Sequence, residues 1–102
     1  MSYLVQILLP LKDNQGKRLR GMWYQKTQKE LTEKFKGLTA YSRAPAEGLW
    51  KPGRKTKREE VVVYEVMMPV LNKGWWKRYR RRLEKMFRQE AVVIRAQRVK
   101  VL

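Results

Sequence analysis

Between Asn72 and Gln89 the chain reads NKGWWKRYRRRLEKMFRQ, and its apolar residues return at a single rhythm. Trp76, Tyr79, Leu83 and Met86/Phe87 are spaced i, i+3, i+7 and i+10/i+11, which gathers them on one face of an α-helix. Just before it, EVVVYEVMMP (60–69) is β-branched, apolar and closed by a proline, the pattern of a strand. A strand and an amphipathic helix this close together must bury their apolar faces in one core.

The remaining segments extend that pattern. YLVQILLPLKD is apolar enough for a buried strand over roughly residues 3–10, and NQGKRLRG follows as a basic turn or loop. Trp23, Thr27, Leu31 and Phe35 recur at i+4, and Gly37 stands where a helix C′ glycine belongs, so a helix is predicted for about 22–36. LTAYSRAP (38–45) reads as a short strand broken by Pro45. The stretch EGLWKPGRKTKREE is a loop around the turn signal KPG. Asn72 is the expected cap of the second helix, which runs to about residue 89, and AVVIRAQRVKVL closes the chain as a strand. The order β-α-β-β-α-β predicts an α+β, ferredoxin-like domain over residues 1–102. It has a four-stranded antiparallel sheet with two helices on one face. The other face is left for water, a partner sheet or a ligand.

Chemistry is sparse. The chain has no Cys and no His, which removes disulfides, thiol catalysis, imidazole acid–base chemistry and most transition-metal sites. There is no Gly-rich phosphate loop. Glu59 and Glu60 are adjacent on a strand and point to opposite sides, a poor acid–base pair. Glu65, inside an apolar strand, is expected on the solvated sheet face or in an ion pair. Ser42 has no base to activate it beyond Lys or a carboxylate. No enzyme activity, cofactor, metal or small-molecule substrate is expected. No apolar run reaches the ~18 residues of a membrane span. The opening MSYLVQILLPL lacks the features of a signal peptide, so a cytoplasmic location is expected.

Charge is the outlier. Lys and Arg number 25 against 9 Asp and Glu, a formal net charge of +16, where small soluble domains carry roughly 2–8. In the second helix Lys77, Arg78, Arg80, Arg81, Arg82, Lys85 and Arg88 cover the face opposite the apolar stripe. Lys77–Arg81, Arg78–Arg82 and Arg81–Lys85 are like-charge i,i+4 pairs, each costing a few tenths of a kcal/mol. Arg54, Lys55, Lys57 and Arg58 add a basic hairpin, and Lys or Arg also marks the first loop, the first helix and the last strand. Charge spread over every exposed element reads as surface supercharging more than as a shaped site. Either way, electrostatic binding of polyanions, non-specific nucleic acid among them, is expected.

The segments YLVQILLPL, LTAYSRAPAEGLW and WWKRYRRRLEKMFRQ resemble a family of small, functionally uncharacterised bacterial proteins. That resemblance implies a ferredoxin-like fold and carries over no catalytic residue. The family would ordinarily have mixed or acidic charge where this chain has Lys and Arg, so an engineered, positively supercharged derivative is expected. Large apolar residues at the edges of elements, Met22, Trp23, Met67, Met68, Val70 and Leu71, are read as the contact of a homo-oligomer (a dimer, a trimer or a designed assembly); the plainer reading is that they cap the core. Trp50, Trp75 and Tyr41 lie among basic residues as a stacking platform would require, but the signature of an RNA-recognition motif is missing. The leading expectation is a non-enzymatic, self-associating scaffold that binds polyanions. The alternative is a natural nucleic-acid-binding protein, marked by basic residues gathered on one face.

Overall fold

The computed structural model describes residues 2–48 and 57–102. Its elements follow in the order β1 (Ser2–Pro10), α1 (Gly21–Phe35), β2 (Thr39–Gly48), β3 (Lys57–Met68), α2 (Lys73–Met86) and β4 (Val93–Val99). The strands form one antiparallel sheet in the order β2-β3-β1-β4. That order is consistent with the ferredoxin-like arrangement expected from the sequence. Among the described residues no helix is long and apolar enough to cross a membrane.

Alternation builds the core. Val5, Ile7 and Leu9 of β1 and Val62, Tyr64, Val66 and Met68 of β3 point to one side of the sheet. They meet Leu31 of α1 and Trp76, Tyr79 and Leu83 of α2 in one buried cluster, with Phe87 and Val92 closing it beyond the second helix. Thr27 is buried too, and its hydroxyl is satisfied by donating to the Trp23 carbonyl one turn back, at 2.8 Å. The helices are locked end to end by aromatic contacts. Phe35 of α1 stacks on Trp76 at 5.3 Å between ring centroids and meets Trp75 edge-on at 5.6 Å.

Boundaries depart from the sequence reading at several ends; β3 already begins at Lys57, inside the stretch read as a loop. β2 runs through Pro45 to Gly48 instead of stopping there. It is an edge strand, where a residue without an N–H can face away from the ladder. The left-handed residue that ends α1 is Lys36, at φ 59°, and not Gly37. The helix stops one residue early because Phe35 is held against Trp76 and Leu38 turns back to the core. α2 stops at Met86, short of residue 89, in a Schellman turn. Its closing bonds are Gln89 N–H to the Glu84 carbonyl at 2.9 Å and Arg88 N–H to the Lys85 carbonyl at 3.3 Å.

That turn is held in place by the first loop. Asp13 is buried, and its carboxylate accepts from the backbone N–H groups of Gln15 and Lys17 at 2.9 and 2.8 Å. From this compact loop the Lys12 carbonyl accepts from the Gln89 side chain at 2.8 Å, and Asn14 N–H donates to the Arg88 carbonyl at 3.2 Å. The C-terminal end of α2 is therefore fixed against a distant part of the chain.

Candidate functional site: the basic face of the second helix

α2 begins as its sequence requires. The Asn72 side chain accepts from Trp75 N–H at 3.0 Å, the capping interaction expected of it. With Trp76, Tyr79 and Leu83 turned inward, the helical period sends Arg78, Arg81 and Lys85 to the outermost line and Lys77 and Arg82 to its flanks. All five are exposed. Successive cations along the outermost line are three or four residues apart, or about 4.5–6 Å at the 1.5 Å rise of a helix.

The few acids nearby do not neutralise this line. Glu84, the only acid within α2, lies 4.0 Å from Arg80 and accepts from Val92 N–H at 3.0 Å. It is occupied in tying the helix to the segment before β4. Glu30 of α1 pairs with Arg82 on the other flank. The first turn of α2 holds no acid and carries Lys73, so the positive end of the helix dipole is also unopposed. Beneath this flank the Tyr79 hydroxyl is buried without a hydrogen-bond partner among the described residues, and its pKa is pushed above the phenol range by burial first and by Glu30 second, with Arg82 opposing.

Lys77, Arg78, Arg81, Arg82 and Lys85 share one surface; Arg80 is half-buried beside Glu84, and Arg88 is exposed in the turn beyond the helix. Arg54 and Lys55 lie outside the described residues, as does Trp50, while Lys57 and Arg58 begin β3. Trp75 is packed among Phe35, Trp76 and Tyr79 under the Lys34 ammonium. Its faces are therefore taken, and it offers no free platform for a base.

The six residues expected at an oligomer contact do not form one surface. Met67 and Met68 point to opposite sides of the sheet, Met67 53% exposed and Met68 5% exposed in the core. Trp23 and Leu71 pack against the core, whereas Met22 on α1 and Val70 before α2 stand out separately. The sequence reading missed an apolar surface elsewhere. Leu4, Leu8, Val61, Val63 and Val93 share the sheet face that the helices leave open. The available signal was the unbroken apolar run of YLVQILLPL and VVVYEVMM, since a strand covered on one side only should alternate.

A shallow groove of about 190 Å³ runs between α2 and β4, floored by Val5, Trp76 and Ile94 and rimmed by Lys73, Lys77 and Arg80. Enclosed ligand sites run to about 300–1,000 Å³, so this groove extends the basic surface without enclosing a small molecule. Among the described residues no group of three or more Asp or Glu side chains sits close enough to hold a metal ion. No family model, no curated protein and no solved structure matches the chain.

Proposed function

We propose that this chain is a non-enzymatic scaffold of the ferredoxin-like type whose second helix binds polyanions through their backbone charge. One observation carries the reading: Arg78, Arg81 and Lys85 form an exposed line flanked by Lys77 and Arg82, with Glu84 engaged by Arg80 and the Val92 N–H and Glu30 pairing only with Arg82 on the flank. Such a line neutralises phosphates and releases their counterions, which yields strong, salt-sensitive and sequence-independent binding. Trp75, packed among Phe35, Trp76 and Tyr79, adds no stacking face to this surface. A charge engineered onto the surface and a natural nucleic-acid contact would share this chemistry; under the first, the polyanion is an anionic cargo.

The test compares two variants of equal charge loss by fluorescence anisotropy with short duplexes of unrelated sequence. Lys77, Arg78, Arg81 and Lys85 are replaced by Gln in one, and Lys12, Lys17, Arg18 and Lys100 in the other. The helix variant should lose at least tenfold more affinity than the other, equally for every duplex. Equal losses would assign binding to net charge alone, and a loss confined to one duplex would indicate base recognition.

A further inference from the structure

We infer that the open face of the sheet is a two-fold interface between two copies of this chain, an inference that does not rest on polyanion binding. The strand registers place Leu4, Gln6 and Leu8 of β1, Val61, Val63, Glu65 and Met67 of β3, and Val93 and Arg95 of β4 on the side away from the helices. Met67 and Val93 are 53% and 52% exposed. In a chain of net charge +16, this face of β1, β4 and Val61–Met68 carries only Glu65 and Arg95 as charged groups. An apolar, electrically balanced face on so basic a molecule is what a surface between like-charged copies requires.

The balanced pair also specifies the geometry. Glu65, Gln6 and Arg95 are cross-strand partners in a single row. Gln6 sits at its centre, donating to the Glu65 carboxylate at 2.6 Å and accepting from the Arg95 guanidinium at 2.7 Å. Place a second sheet face to face, about 10 Å away, with the two-fold axis between the sheets and parallel to β1 under Gln6. The row is then reversed in the partner, so each Glu65 lies over the other copy's Arg95. An axis along the row would instead set acid over acid and base over base. Only the first arrangement is electrostatically complementary, and it keeps the strands of the two sheets aligned, the common packing of sheet on sheet. It also puts the two basic helix layers on opposite outer surfaces. With a sheet pair and two helix layers between them they stand on the order of 30 Å apart, several Debye lengths at physiological salt. The dimer so formed presents two polyanion-binding faces turned away from each other.

Sedimentation of nuclease-treated protein at about 0.5 M salt tests this, because bridging by nucleic acid is then excluded and self-repulsion is screened. The chain should sediment at twice its 12.3 kDa. Glu65→Arg and Arg95→Glu should each weaken dimerisation about tenfold or more, since two facing pairs become repulsive in each. Mixing the two variants in equal amounts should restore the dimer, because both facing pairs are then opposite in charge. Met67→Lys, outside the row and at an exposed position, should weaken dimerisation without loss of the far-ultraviolet dichroism of the fold. A 12.3 kDa species at every concentration, a dimer indifferent to Met67→Lys, or folded single variants that fail to pair on mixing would each overturn the inference.

Discussion

Arg88 shows how a single residue can carry a cost that the sequence does not announce. It holds φ 51° at the end of α2, a conformation that costs a residue with a Cβ about 1 kcal/mol relative to glycine. The Schellman bonds around it and the clamp from Lys12 and Asn14 keep it there. Arg88→Gly should therefore stabilise the protein by about 1 kcal/mol in chemical denaturation; a neutral or destabilising result would mean the guanidinium contributes more than the strain removes. Tyr24 is a second case. Its hydroxyl donates to the Pro10 carbonyl, and burial, aided by Tyr64 and opposed by Arg18, pushes its pKa up to about 12. A phenol raised in this way contributes stability that is fully present below its ordinary value near 10 and is lost as pH climbs towards 12. The stability gap between the protein and Tyr24→Phe should thus close between pH 10 and 12, and a gap that stays constant would contradict the shift. Neither residue could be recognised from the sequence, because both states depend on contacts from distant segments.

At the scale of elements, the apolar period of α2 and the β-branched apolar run of β3 located helix and strand correctly, and Asn72 marked the cap. What the periods could not locate were ends decided by neighbours. β2 passes through Pro45 because its outer edge is free, and α1 closes at Lys36 because Phe35 is committed to Trp76. The charged face of α2 was equally legible, since helical spacing alone separates Arg78, Arg81 and Lys85 from the core. Its cost is legible too. Arg81 faces Lys77 and Lys85 at i−4 and i+4, so Arg81→Glu converts two repulsions into two attractions. With a few tenths of a kcal/mol for each change, α2 should gain about 1 kcal/mol of thermal stability at low salt, and the gain should fade as salt rises. The same substitution should weaken binding to duplex DNA severalfold. Greater stability with unchanged binding would separate this helix face from polyanion association.

For the whole molecule, the distribution of charge outweighs its total. The sequence reading placed basic residues on every exposed element, and the open sheet face is the exception, because the pairing of β1 with β3 and β4 decides which residues share it. Its apolar side chains are dispersed through runs that read simply as buried strands. Over the described residues the molecule is two-sided, with a basic helix layer and, across β1, Val61–Met68 and β4, an apolar sheet face on which Glu65 and Arg95 balance. The claim that the basic side is a phosphate-tracking surface is tested most directly by the salt dependence of DNA binding. Dissociation constants for one duplex should be measured from about 50 to 300 mM salt for the unaltered chain and for the variant with Lys77, Arg78, Arg81 and Lys85 replaced by Gln. Log affinity should fall steeply and linearly with log salt, with a slope shallower by about 2–4 in the variant, close to one for each phosphate contact removed. Parallel lines of unchanged slope would contradict it, placing the contacts somewhere other than the second helix.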